Sequence, residues 1–294
     1  MMLLVIGAQK SATSTLHSAL DKYDDLEVLE KELGLFDPAT DESLDTAKAL
    51  GALDQAKVTV EVATRYSMLP GVTGVVERAA AHVSPANLHI AYLVRHPIDR
   101  LRSHLEHDQL LGRIGDDWNE AVRQEPRYLN NSRAAMQLEP WIEFVGASRV
   151  HVIRFDDLVA DTATTCAQLR EALGLPGLSE VVGSEEIWEN RTATNLRLGR
   201  SIGNFLDSQF YRRRLRPLVP SSFINYVAGT MRQRRPASPP AELDTTESLD
   251  ASTLRWLVDQ LSSDVGRLNQ IEPRSKQWWT PESLMAEQSE SSKA

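Results

Sequence analysis

Four short runs of mostly aliphatic, β-branched-rich residues, Leu3 to Ile6, Val58 to Val62, Leu88 to Val94 and Val150 to Phe155, punctuate the chain up to residue 155. Each has the length of a strand and is too short for a buried helix. Between them, Thr13 to Leu20, Val72 to Ala81, Ile98 to Leu111, Ala135 to Phe144 and Thr162 to Leu173 place apolar residues at three- and four-residue steps, the period of a helix face. A strand that is apolar at nearly every position needs cover on both sides. Alternation with helices therefore predicts an α/β fold of three layers, α/β/α, with a central parallel sheet. Ligands of such sheets bind beyond the carboxyl ends of the strands.

Beyond about residue 185 the strand signals stop. Helical patterns follow at Leu198 to Arg216, Ser221 to Arg232 and Ala251 to Ile271, with Pro236, Pro239 and Pro240 marking a loop over Arg235 to Thr246. The reading is a sheet core over about 1–185, a helical C-terminal part over about 186–284, and a polar, Ser/Glu-rich tail at 285–294. A chain of 294 residues, 41% of them hydrophobic, can bury one large core.

The net charge of -9 argues against a nucleic-acid partner, since phosphate backbones need a basic footprint. Any anionic ligand must be held by local cations. The single Cys166 excludes an internal disulfide, no Cys/His cluster has zinc-site spacing, and no apolar run reaches the roughly 18 residues of a membrane span. A cytoplasmic protein without a metal or an integral membrane segment is expected.

The segment Leu3-Leu4-Val5-Ile6-Gly7-Ala8-Gln9-Lys10-Ser11-Ala12-Thr13-Ser14-Thr15-Leu16 is a strand, a short loop with a lysine and hydroxyls, then a helix start. Open N–H groups at a helix N-terminus attract an anion, a lysine adds a point charge, and hydroxyls donate to further phosphate oxygens. No Gly-Lys-Ser/Thr is present, so the loop is P-loop-like without being a nucleotide-triphosphate loop. A second segment, Ala91-Tyr92-Leu93-Val94-Arg95-His96-Pro97-Ile98-Asp99-Arg100-Leu101-Arg102-Ser103, delivers Arg95 from a strand and Ser103 from the helix that Pro97 opens. A guanidinium fork in that place suits a phosphate.

On these two motifs the chain resembles the sulfotransferase superfamily, in the style of its glycan-type and bacterial members. The resemblance implies that the donor is 3′-phosphoadenosine-5′-phosphosulfate, leaving as adenosine 3′,5′-bisphosphate, and that the fold is a single sulfotransferase domain over 1–284. Lys10, Ser11, Ala12, Thr13, Ser14 and Thr15 match the loop that holds the 5′-phosphosulfate, with Ala12 where the family has Gly. Arg95 and Ser103, eight residues apart, match the family's pair for the 3′-phosphate. Lys31-Glu32-Leu33-Gly34-Leu35-Phe36 resembles the segment that carries the catalytic base, which falls on Glu32; a solvated carboxylate on a polar turn is the bland alternative. In Val60-Glu61-Val62-Ala63-Thr64-Arg65-Tyr66 the family lysine falls on Val62, and either Arg65 supplies its charge or the segment is a plain strand end. Val150 to Leu158 resembles family scaffold, and Arg200 lies where relatives close a loop over the nucleotide.

The implied activity is transfer of a sulfuryl group to a hydroxyl of a small-molecule, saccharide or lipid acceptor, with Lys10 and Glu32 catalytic. A small-molecule kinase and a catalytically silent nucleotide-binding module are the competing readings. Residues 210–235, basic and aromatic, are either a solvated helix face over core aromatics or a contact for an anionic acceptor, a membrane surface or a carrier protein. His17, His96, His104 and His107 fall near the motifs and read as helix-face or cap residues, the alternative being a histidine base of the kind some cytosolic members of the resembled superfamily use.

Overall fold

The computed structural model describes residues 1–40, 46–53, 56–175, 249–272, 279–280 and 283. In chain order the elements are β1 (Met2–Gly7), α1 (Thr13–Leu20), β2 (Leu26–Val28), α2 (Thr46–Gly51), β3 (Val58–Val62), α3 (Val75–His82), β4 (Leu88–Val94) and α4 (Pro97–Leu110). Then come α5 (Trp118–Gln124), α6 (Pro126–Asn130), α7 (Ala134–Val145), β5 (Val150–Arg154), α8 (Phe155–Ala160), α9 (Thr162–Ala172) and α10 (Ala251–Ile271). The five strands form one parallel sheet in the order β2-β3-β1-β4-β5.

β1 is buried at every position because it is central, with Val5 level with Val62 on one side and Ala91 on the other. Strand residues alternate between faces. Leu4, Ile6, Ile90, Tyr92 and Val152 pack with Leu138 and Trp141 of α7 and Val265 of α10. Leu3, Val5, Val60, Leu93 and Ile153 pack with Leu16 and Leu20 of α1 and Leu169 of α9. A smaller cluster, Ile98, Leu101, Leu105, Tyr128 and Leu257, joins α4 and α6 to α10. Asp264 of α10 caps α7 by accepting the N–H groups of Ala135 and Met136 at 3.0 Å each.

Three expectations shift. β2 escaped the pattern because it is a three-residue edge strand with Glu27 at its centre. α3 starts at Val75 instead of Val72, since Gly74 supplies a left-handed cap with φ 81°. The last strand ends at Arg154, and Phe155 instead opens α8.

Candidate functional site

The loop from Ala8 to Ala12 leaves the carboxyl end of the central strand, where flanking loops converge. Gly7 has to be glycine: a Cβ there would stand 2.1 Å from Ser67 Oγ and 3.0 Å from the Tyr92 ring. The Ala8 N–H bonds Leu93 O at 3.1 Å, pinning the loop to β4. Lys10 and Ala12 both adopt left-handed backbone, φ 68° and 61°. Ala12 caps α1, and Leu16 returns its N–H to Ala12 O at 3.1 Å. The N–H groups of Thr13, Ser14 and Thr15 therefore face out of the helix end. Ser11 is fully buried, and among the described residues its hydroxyl has no hydrogen-bond partner, nor has Gln9 Oε1. Burial holds the Lys10 ammonium below its ordinary pKa; Glu106 opposes this, and Arg95 reinforces it.

A non-glycine residue in left-handed backbone is strained. Ala12→Gly should therefore stabilise the protein by about 0.5–1 kcal/mol, a rise of about 2–4 °C in Tm on thermal denaturation. A fall in Tm would mean that residue 12 does not adopt this conformation.

Arg95 leaves β4 beside the loop. Its Nη1 donates to Lys10 O at 3.0 Å, and its guanidinium lies 4.6 Å from the centroid of the Phe155 ring. Burial lowers its pKa, while Asp99, Asp156 and Glu106 act against that. Pro97 takes the first position of α4, as its fixed φ favours. Ser103 is half-buried on this helix, three residues before Glu106, whose charge reaches both Lys10 and Arg95. His96 precedes the helix and meets Trp279 edge-on at 5.3 Å between ring centroids, while Arg154 lies over the other ring system of that contact, 5.8 Å from the Trp279 centroid.

Glu32 sits at the end of β3, its N–H on Val62 O at 2.8 Å. Its carboxylate is not a loose surface group. Oε2 accepts the Thr64 N–H at 3.0 Å and Oε1 accepts the Thr64 hydroxyl at 2.9 Å, while Lys31 Nζ lies 3.2 Å from Oε1. The side chain remains 35% exposed. Beneath it lies Glu61 of β3, fully buried, with Oε1 accepting from Gly34 N (2.9 Å), Leu35 N (2.8 Å) and Tyr66 Oη (2.9 Å). Its Oε2 has no partner among the described residues, and burial raises the carboxyl pKa to about 7 despite those bonds. The whole Glu32 segment is thus bolted to the sheet by a carboxyl in its interior. Arg65 is not a free substitute for the family lysine: its guanidinium pairs with the buried carboxylate of Asp37.

The structure therefore joins Lys10, Ser11, Ala12 and Arg95 directly, sets Ser103 on the adjoining helix, and fixes Glu32 at the same edge of the sheet through a separate network. Arg200 and residues 210–235 lie outside the described residues. His17 is committed to Leu29 O at 3.0 Å. His104 is buried beside Asp108 at 3.5 Å; burial and the charge of Arg100 push its pKa down to about 3, so it is neutral at pH 7. Among the described residues no group of His, Cys, Asp or Glu is arranged to hold a metal, and no helix is long and apolar enough to cross a membrane.

Sequence reasoning missed Glu61 and Arg100. Glu61 interrupts an otherwise apolar and β-branched strand, the usual sign of a buried polar group with partners. Arg100, His104 and Asp108 stand four residues apart alongside Leu101 and Leu105, so they share the buried stripe of α4. Charged residues there signal a buried polar network instead of a solvated face.

No protein-family profile matches the chain, and no curated protein matches it in sequence. Solved structures do. A sulfotransferase from Alicyclobacillus acidocaldarius aligns over 93% of this chain and 96% of its own, with a TM-score of 0.55 at 17% identity. A sulfotransferase domain from the curacin biosynthetic pathway aligns over 78% of this chain and 96% of its own, with a TM-score of 0.45 at 16% identity. The chain, a parallel five-stranded sheet between two helical layers, has the fold of the Alicyclobacillus sulfotransferase.

Proposed function

We propose that the chain is a 3′-phosphoadenosine-5′-phosphosulfate-dependent sulfotransferase acting on a hydroxyl of a small-molecule, saccharide or lipid acceptor. One observation carries this reading: a buried, unpartnered Ser11 hydroxyl stands beside Lys10 and the N-terminus of α1, in a loop that Arg95 ties to the second phosphate motif. Donor groups of that kind fit a phosphate ester better than a neutral ligand.

The donor supplies a sulfuryl group on a phosphate leaving group; the acceptor oxygen bonds to sulfur as the sulfur–oxygen bond to that phosphate breaks. Lys10, the Ser11 hydroxyl and the N–H groups of Thr13 to Thr15 stabilise the negative charge that gathers on the phosphate side. Arg95 uses one N–H to hold Lys10 O, and the remaining donors of its fork, with the Ser103 hydroxyl, suit the 3′-phosphate. Glu32, oriented by Thr64, takes the acceptor proton. Glu106, facing Lys10 and Arg95, limits how strongly the site holds anions when no ligand offsets it.

The test is titration calorimetry with three nucleotides. Adenosine 3′,5′-bisphosphate should bind at least about tenfold more tightly than adenosine 5′-phosphate, the worth of one charge-assisted phosphate contact. Equal affinities would remove the 3′-phosphate assignment, and tighter binding of ATP with Mg²⁺ would favour the kinase reading. Tight bisphosphate binding without transfer to any acceptor in a broad hydroxyl panel would leave a silent binding module.

A further inference from the structure

Arg100 is 2% exposed, and its guanidinium is wholly enclosed. Nε donates to Ser132 Oγ at 2.8 Å, Nη2 donates to Tyr128 O at 2.8 Å, and Nη1 points at Gln9 O, 3.5 Å away. These partners are neutral. Among the described residues no carboxylate forms an ion pair with it, and the groups that act on it are the Arg95 cation and the Tyr92 phenol, which burial keeps neutral. Arg95 repels it, and its own charge helps to keep His104 neutral. Asp108, the buried acid on the same helix, is already engaged by Arg113 Nη1 at 3.0 Å, Arg127 Nη2 at 3.1 Å and the Tyr128 hydroxyl at 2.8 Å.

A buried charge without a counter-ion is expensive, and neutral hydrogen bonds offset only part of the cost. Evenly satisfied carbonyls do not explain why a charge is kept there. The position does. Gln9 and Lys10 present consecutive carbonyls to two arginines, Gln9 to Arg100 of α4 and Lys10 to Arg95 in the turn between β4 and α4. Those two contacts hold the stretch of loop that leads through Lys10 and Ser11 into the start of α1. Lys10 feels the charge of both arginines, set against the carboxylates of Glu106 and Asp108.

We infer that Arg100 is a positioning residue of the anion site: it holds the loop through Gln9 and provides a buried positive charge whose counter-ion is the ligand's phosphate. The inference rests on the proposed donor site but concerns the anion, not the nucleotide.

The experiment compares wild type with Arg100→Gln, which keeps a donor without the charge, and Arg100→Lys, which keeps the charge without the fork. Thermal unfolding and calorimetry are run at low ionic strength, without ligand, with inorganic pyrophosphate and with adenosine 3′,5′-bisphosphate. The expected result is that Arg100→Gln weakens both anions at least about tenfold and loses most of the ligand-induced rise in Tm, while Arg100→Lys falls between Arg100→Gln and wild type. A purely structural role would lower Tm equally with and without anion and leave affinities unchanged, which overturns the inference. Stabilisation of wild type by pyrophosphate but not by the bisphosphate, with the same loss in Arg100→Gln, would uphold Arg100 and sink the donor assignment. No stabilisation of wild type by either anion would sink both. Should Arg100→Gln fail to fold, the ¹⁵N signal of Arg100 Nε in wild type decides: it shifts on adding pyrophosphate if the inference holds and stays put if it does not.

Discussion

Glu32→Gln is expected to turn over roughly 10²- to 10⁴-fold more slowly than wild type, with its affinity for adenosine 3′,5′-bisphosphate staying within about twofold. The amide keeps the size of the carboxylate. Its oxygen can still accept the Thr64 N–H, and its NH₂ can donate to the Thr64 hydroxyl, which reverses its role. What it cannot do is accept a proton. The fold and the Lys10 loop should be otherwise untouched, because Glu32 belongs to a network separate from the one around Lys10. The measurement is transfer from labelled donor to an acceptor established with wild type. His104→Ala serves as a control: a buried imidazole that stays neutral beside Asp108 has no role in taking the acceptor proton. Normal turnover by Glu32→Gln with loss of activity in His17→Ala would move the base to histidine.

The second large effect is a pH dependence of stability located at Glu61. Its carboxyl titrates near 4.5 in the unfolded chain and at about 7 in the folded one. The folded state therefore binds more protons over this window. Stability from this group is complete below about pH 4.5 and is lost as pH rises through about 7, a change of about 3 kcal/mol. His104 and His151, pushed down to about 3 and about 4 by burial, act in the opposite sense: their stability is present above about pH 6.5 and lost as pH falls. The wild-type curve mixes the two, so the difference between wild type and Glu61→Gln is the quantity to measure. Urea unfolding from pH 4.5 to 8 should show Glu61→Gln gaining on wild type with rising pH by about 3 kcal/mol. The glutamine oxygen still accepts from Gly34 and Leu35, which keeps the Glu32 segment in place. A difference that does not vary with pH would mean that Glu61 remains ionised inside the sheet.

The segments that carry the fold announce themselves locally. Leu3 to Ile6 and Leu88 to Val94 are apolar on both faces, so they have to lie inside a covered sheet, and the strand ending in Gly7 followed by Lys10 and four hydroxyls states an anion loop from its own composition. β2 was illegible because an edge strand of three residues has no period to read, and α8 because six residues hold less than two turns.

The candidate site divides in the same way. The sequence by itself determined the parallel α/β/α architecture and put a lysine, hydroxyls and Arg95 at strand ends, since periodicity and composition are local properties of a chain. Only the tertiary structure decided what each charge faces. Arg65 carries a charge that looks available in sequence and pairs with Asp37; Glu61 looks like a strand residue and holds the Gly34 and Leu35 N–H groups of the Glu32 segment; Arg100, on the apolar stripe of α4, lies enclosed behind the loop. Burial and the partners of a charge depend on residues 26 to 91 positions away in the chain, from the bond between Glu61 and Leu35 to the approach of Arg100 to Gln9, and only folding brings those together.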